Sequence, residues 1–230
     1  MKIKAGIIGT GNIGTDLLIK CTKSNIIDPI IFVGRRKESD GIRIADDIGI
    51  NTSIDGIDFF TKNKNYCDVV FDCTDAFSAK TNNHTFKEQR IKVIDITPAK
   101  LGELCIPLIN DDLIITNNNI NMITCGGQAS IPILHLISKY CEGLEYIEVV
   151  SQISSKSAGL ATRINIDEYI HTTEDAIKKF TSVPSCKVIL NLNPAEPCVD
   201  MQTTMFLKHK DVNMRDLLNQ LNNKIKEINT

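Results

Sequence analysis

The string Gly9-Thr10-Gly11-Asn12-Ile13-Gly14 constrains the fold more than any other feature. It follows an apolar run over residues 3–8 that carries no charge after Lys4, and it precedes Ile13, Leu17, Leu18 and Cys21 at helical spacing. A buried strand, a glycine-rich turn and a helix, in that order, open a dinucleotide-binding βαβ unit. In such a unit Gly9 permits the tight turn, Gly11 lets a pyrophosphate approach the backbone, and Gly14 lets helix and strand pack closely.

The next residues repeat the alternation. Residues 29–33 read as a second strand that ends at Gly34-Arg35-Arg36-Lys37. At this place an acidic residue holds the ribose 2′-hydroxyl of NAD, whereas an arginine accommodates the 2′-phosphate of NADP. Arg35 and Arg36 therefore favour NADP over NAD, with Glu38 as the carboxylate that could swing back to the ribose. A short helix is expected over 40–48. Residues 49–67 are polar and irregular apart from a helical stretch near 57–60. Strands over 68–72 and 92–96 enclose a helix near 80–89, and residues 73–78 and 97–99 leave the carboxyl ends of those strands, where ligands bind in such sheets. Repeated strand–helix units imply a parallel sheet covered on both faces. Residues 105–109 and 120–123 read as further short strands.

The last of these delivers a cysteine, in Asn121-Met122-Ile123-Thr124-Cys125-Gly126-Gly127-Gln128. A helical pattern follows, so Cys125 falls at a helix N-terminus beside N–H groups that lack intrahelical partners. That setting lowers a thiol pKa from its free value of about 8.5. Gly126 and Gly127 are expected to leave open space before the sulfur, and the N–H of Gly127 or Gln128 to serve as oxyanion donor. The plainer reading is a buried cysteine in a glycine-rich turn. Beyond this helix the rhythm changes: a strand over 144–154, a small-residue loop over 156–163, a helix over 166–180, and strands over 187–192 and 203–207. A final helix follows, with Asp211 as its cap and Met214, Leu217, Leu218, Leu221, Ile225 and Ile228 on one face. The expected fold class is α/β: a Rossmann-type parallel sheet, then a second α+β domain with a largely antiparallel sheet. The expected domains are a dinucleotide-binding domain over 1–124 and a catalytic and dimerisation domain over 125–230.

Composition narrows the function classes. With a formal net charge of −2 over 230 residues and no basic stripe, the chain does not read as a nucleic-acid binder. No apolar run reaches spanning length and no signal-peptide pattern opens the chain, which reads as cytoplasmic and off the membrane. Eight scattered cysteines, with no CxxC pair and no Cys/His ligand spacing, read as reduced thiols and give no metal site. The four histidines have no partner visible in sequence and read as surface or helix-face residues.

Four strings, GTGNIGTDLLIK, INMITCGGQASIPI, ISSKSAGLATRINIDE and ILNLNPAEP, together resemble acylating acetaldehyde dehydrogenase, the partner of 4-hydroxy-2-oxovalerate aldolase. The resemblance runs from residue 1 to about residue 207. It implies that Cys125 attacks a small aldehyde, that hydride passes to nicotinamide, and that the acyl thioester is handed to coenzyme A. It further implies that Thr10, Gly11, Asn12 and Ile13 touch the cofactor, as do Ser157, Ala158, Gly159, Leu160, Ala161, Thr162, Arg163, Ile164 and Asn165. The chain departs from the family pattern at four places. Met201-Gln202-Thr203-Thr204 stands where the family has Met-Arg-Asp-Thr, its aspartate being implicated in catalysis. Leu160 and Ala161 replace a Pro-Gly pair and stiffen that loop, and Arg36 replaces an acidic residue. The family also continues well past residue 230, so a C-terminally shortened relative is expected. Its unfinished second sheet would need a homodimer or a hetero-complex to cover an open strand edge. Two functions follow: a working acylating aldehyde dehydrogenase using NAD or NADP, or a dinucleotide-binding, catalytically impaired relative that acts through a partner protein.

Overall fold

The computed structural model describes residues 1–228; the last two residues of the expected 125–230 domain lie outside the described residues. The chain divides into two compact units. The first holds Met1–Cys105, Asn110–Met122 and Gly159–Asn165. The second holds Ile106–Ile109, Ile123–Ala158 and the chain from Ile166 onward.

In chain order the elements of the first stretch are β1 (Ile3–Ile8), α1 (Asn12–Thr22), β2 (Ile27–Val33), α2 (Asp40–Asp47), β3 (Thr52–Ser53) and α3 (Asp58–Lys62). They continue as β4 (Val69–Asp72), α4 (Ala76–Gln89), β5 (Lys92–Asp95), β6 (Glu103–Leu104), α5 (Pro107–Asn110), α6 (Leu113–Thr116) and β7 (Asn119–Asn121). The seven strands form one sheet in the order β3-β2-β1-β4-β5-β7-β6, with every pair parallel. Strand order reverses beside β1, so the glycine-rich turn leaves the sheet at the switch point where such folds bind ligands. Successive side chains on a strand point to opposite faces, and two cores result. Ala5, Ile7, Phe32 and Phe71 pack with Leu18 of α1 and Ile42 of α2, while Ile8, Ile31, Val33 and Val70 pack with Phe60 of α3 and Phe86 of α4. The expected parallel sheet covered on both faces is what the structure shows.

Several boundaries move for identifiable reasons. Helix α4 starts at Ala76 rather than near residue 80, because Asp75 Oδ1 accepts from the N–H groups of Phe77 and Ser78 at 3.0 and 2.9 Å. The strand expected over 105–109 ends at Leu104. Pro107 cannot donate to a ladder but suits a first helical position, and α5 begins there. Strand β3, two residues long, is too short to show a period.

The second unit carries α7 (Cys125–Ser138), β8 (Cys141–Glu142) and β9 (Tyr146–Ser154). After α8 (Leu160–Ile164), which returns to the first unit, come α9 (Ile166–Thr181), β10 (Ser185–Asn193), β11 (Gln202–Lys208), β12 (Asp211–Val212) and α10 (Met214–Ile228). The second sheet has the order β10-β9-β11. Its pairing is mixed, with β11 antiparallel to β9 and β10 parallel to it; β8 and β12 form a separate antiparallel ribbon. Alternate residues of β9 are buried, among them Ile147, Val149 and Ser151. Asp211 belongs to β12 and does not cap the last helix; Asn213 does, accepting from the Asp216 N–H and donating to the Asp216 carboxylate. Of that helix's apolar face Leu217 is buried, whereas Met214, Leu218 and Ile225 are exposed. No helix among the described residues is long and apolar enough to cross a membrane.

Candidate active site

In the first unit the glycine turn has the shape its sequence requires. Gly9 adopts φ +107°, and a Cβ there would lie 2.5 Å from the carbonyl carbon and oxygen of Cys73. Around Gly11 there is no atom within 4 Å of a Cβ position, so the backbone is open to a ligand at the start of α1. Gly11 caps that helix without any side-chain hydrogen bond. The Thr10 hydroxyl is 3.1 Å from the Ser39 hydroxyl, which caps α2, and the Thr10 side chain fills the space a Cβ on Gly34 would need. The first and second loops of the sheet edge are thereby joined.

The two arginines differ. Arg35 Nη2 lies 3.9 Å from Asp75 Oδ2. Burial works to raise the Asp75 carboxyl, but hydrogen bonds from Ser78 and Phe77, together with Arg35, hold it below the ordinary carboxylate range. Arg36 is exposed and its guanidinium forms no ion pair among the described residues.

Of the 157–165 stretch, Gly159, Leu160, Ala161, Thr162, Arg163, Ile164 and Asn165 belong to the dinucleotide unit, whereas Ser157 and Ala158 belong to the other. A Cβ on Gly159 would lie 3.7 Å from Asn12 Nδ2, so this stretch meets the glycine turn. Residues 160–164 form the helical turn α8 rather than the expected loop. Asn165 is buried; its Oδ1 accepts from the Ala76 N–H at 3.2 Å and its Nδ2 donates to the Ala161 carbonyl at 2.6 Å. Its side chain is a tie between α8 and α4. Ser157 Oγ is likewise engaged, donating to the Ser154 carbonyl at 2.9 Å.

Two carboxylates shape the neighbouring loops. Asp72 and Asp95 are register partners at the ends of β4 and β5, and both are buried. Asp72 accepts from Thr74 and Asn82, and Asp95 from Thr97 and Asn121. Burial pushes the Asp95 carboxyl up to about 6, hydrogen bonds from Thr97 oppose it, and the facing Asp72 adds to it. Both acids serve the loops and face no open space.

In the second unit Cys125 is the first residue of α7. Ile123, fully buried, takes φ +63°, a strained conformation for a β-branched residue. Thr124 caps the helix by accepting from the Gly127 N–H at 2.9 Å. Its hydroxyl is 2.7 Å from that of Thr173, which itself donates to the Tyr169 carbonyl at 2.6 Å.

Three sequence expectations change here. The two N–H groups expected as oxyanion donors, those of Gly127 and Gln128, are already engaged. The Gly127 N–H is taken by Thr124 Oγ1, and the Gln128 N–H donates to the Thr124 carbonyl at 2.9 Å. The N–H groups that act on the Cys125 sulfur are those of Gly126 and Cys125 itself. Nor do the glycines leave open space. A Cβ on Gly126 would lie 2.0 Å from Tyr169 Oη and 2.8 Å from Ser151 Oγ, and one on Gly127 would lie 2.7 Å from Ile123 Cγ2. These glycines admit close neighbours. Finally, the Cys125 thiol titrates above the ordinary thiol range, not below it. The residue is exposed, yet protein crowds the remaining sides of its sulfur. That desolvation outweighs the lowering by the Tyr169 hydroxyl and the two N–H groups.

Tyr169 and Ser151, which crowd Gly126, are the neighbours of the cysteine turn that sequence reading misses. Ser151 on β9 and Thr203 on β11 are direct cross-strand partners, so their side chains share a face. Thr203 stands where an aspartate was expected. The hydroxyl oxygens of all three are buried without a hydrogen-bond partner. No short-range spacing links positions 125, 151, 169 and 203; only the α9 face that includes Tyr169, Thr172, Thr173 and Ala176 hints that Tyr169 turns inward.

A switch-point glycine turn in a parallel sheet, followed by a mixed-sheet unit, is a fold found in solved dehydrogenases. Aspartate semialdehyde dehydrogenase with NADP from Candida albicans matches 94% of this chain and 75% of its own at a TM-score of 0.62 and 15% identity, a likeness of fold alone. The sequence relatives are closer. Acetaldehyde dehydrogenase of Spirochaeta aurantia is 47% identical over 216 residues, covering 94% of this chain and 72% of the relative. That of Pectobacterium atrosepticum is 50% identical over 209 residues, covering 90% and 71%. The family model for the dimerisation region of prokaryotic acetaldehyde dehydrogenase matches residues 125–230. The chain belongs to the acetaldehyde dehydrogenase family.

Proposed function

We propose that the chain is an oxidoreductase that converts a short aldehyde, acetaldehyde foremost, to an acyl-CoA through a thioester on Cys125. The observation that carries this reading is Cys125 at the first position of α7, with the N–H groups of Gly126 and Cys125 acting on its sulfur. The thiolate adds to the aldehyde carbon, a C–S bond forms, and the carbonyl electron pair moves to oxygen. Re-forming the carbonyl expels hydride from that carbon, and a nicotinamide dinucleotide held at the glycine turn would supply the two-electron acceptor for it. Gly11 and the start of α1 fit its pyrophosphate, since nothing stands within 4 Å of the Gly11 Cβ position. The thiol of coenzyme A then loses its proton to water, attacks the acyl carbon and expels the Cys125 thiolate as the acyl–sulfur bond to the protein breaks. Mixing the protein with acetaldehyde, coenzyme A and NAD or NADP should yield reduced cofactor and acetyl-CoA in equal amounts. The competing reading, a dinucleotide binder working through a partner, draws on Thr203 in place of a carboxylate. It gains if cofactor binds and no acyl-CoA forms.

For the cofactor we propose NADP over NAD. Arg35 is drawn to Asp75, which leaves the exposed Arg36 guanidinium for the 2′-phosphate. A charge-assisted hydrogen bond is worth roughly 1.5–3 kcal/mol, so one contact should favour NADP by about tenfold to a hundredfold. Titration with each cofactor should show that preference and its loss in Arg36→Asp. Tighter NAD binding, unchanged in that variant, sinks the assignment.

For assembly we propose a homodimer formed through the second unit. Strands β10 and β11 are both free edges, and Phe206 on β11 and Met214, Leu218 and Ile225 on α10 are exposed. Sedimentation at micromolar concentration should give the mass of two chains; a sharp monomer peak counts against it. An aldolase supplying the aldehyde is the hetero-complex version of the same proposal, and co-sedimentation with such a protein separates the two.

A further inference from the structure

We propose that Tyr169 is a catalytic residue of this site: its hydroxyl donates a hydrogen bond to the Cys125 sulfur as thiolate, and Ser151 holds that hydroxyl in line. The proposal rests on the reading of Cys125 as nucleophile.

The space that a Cβ on Gly126 would occupy is taken by two oxygens, Tyr169 Oη at 2.0 Å and Ser151 Oγ at 2.8 Å. Both belong to buried residues, Tyr169 at 6% exposure and Ser151 at 0%. Neither oxygen has a hydrogen bond of ordinary geometry, although the Tyr169 hydroxyl is near enough to both Ser151 and the Cys125 sulfur to interact with them. Burying unpaired hydroxyls is costly, and native folds keep few of them. Here they stand at the one residue whose charge changes during turnover. A thiolate is an acceptor only, and a neutral phenol is the donor it lacks.

The backbone fixes this arrangement. Thr173, one helical turn after Tyr169, donates to the Tyr169 carbonyl and meets the hydroxyl of Thr124, the cap of the cysteine helix. The cap of α7 and the tyrosine of α9 are therefore joined by two consecutive hydroxyl contacts. Burial first, and then the Cys125 charge, push the phenol above the ordinary tyrosine range against the opposing effect of Ser151 and Thr124, so the neutral, donating form is favoured. Its effect on the thiol is to lower the pKa, against the desolvation that raises it.

The test is the pH dependence of Cys125 alkylation by iodoacetamide, followed by mass spectrometry of the Cys125 peptide in the full chain. At pH values below the midpoint, Tyr169→Phe should be alkylated about tenfold more slowly than the wild type, as a rise of one in pKa requires. Ser151→Ala should shift the profile in the same direction by less. A midpoint unmoved in both variants overturns the proposal, including the case in which Tyr169→Phe only lowers the melting temperature. If Tyr169→Phe fails to fold, the Ser151→Ala profile decides alone. Turnover that survives Cys125→Ala would instead refute the nucleophile reading, which the alkylation profile does not address.

Discussion

Replacing Cys125 by alanine should remove acyl-CoA formation while dinucleotide affinity stays within about twofold of the wild type. Loss of a nucleophile that forms a covalent intermediate lowers turnover by ~10³-fold or more. The binding half of this expectation follows from where the residues lie. The glycine turn, Arg36 and Gly159 belong to the first unit, whereas Cys125 belongs to the second. Removing one sulfur atom from an exposed first-turn position leaves the Thr124 cap and its bond to the Gly127 N–H in place. Steady-state production of reduced cofactor, beside a fluorescence titration of cofactor binding, reads the two quantities separately. An alanine variant that keeps most of its turnover would make Cys125 a packed cysteine and nothing more.

Gly14→Ala should abolish dinucleotide binding, with an affinity loss above a hundredfold, and should cost about 3 kcal/mol of stability. The added carbon would stand 1.9 Å from the Gly9 carbonyl oxygen. Gly9 cannot yield, because it is held at φ +107° against the Cys73 backbone, so α1 would have to move away from the turn. Gly11→Ala supplies the contrast. Its Cβ would meet nothing within 4 Å, so the fold should be unaffected while the methyl intrudes on an approaching pyrophosphate. Denaturant unfolding and cofactor titration on both variants check the pair. Equal stabilities for Gly14→Ala and the wild type would refute the packing argument.

Local signals made the first sheet legible. Each of its longer strands is an apolar run ending at a turn, and Gly9, Gly11 and Gly14 announce their geometry because strand, turn and helix are adjacent in the chain. What escaped the sequence depends on residues far apart. Ser151 and Tyr169 fill the space beside Gly126 across 25 and 43 residues, and no period connects them. The direction of the Cys125 titration is hidden from the sequence for the same reason. A helix N-terminus can be read from spacing, but the desolvation that overrides it is made by packing. Asp211 looked like a cap because only its sequence position was visible, whereas the ribbon with Cys141–Glu142 claims it.

The connectivity of the dinucleotide unit has a practical meaning. Its Ala76 N–H, at the first turn of α4, is satisfied by Asn165, and its glycine turn is flanked by Gly159; both residues are translated after the cysteine helix. A fragment cut after residue 124 would therefore lack a piece of its own wall and leave the start of α4 with an unanswered donor. The cofactor unit is thus assembled from separated pieces of the chain, and residues 1–124 alone are an incomplete copy of it.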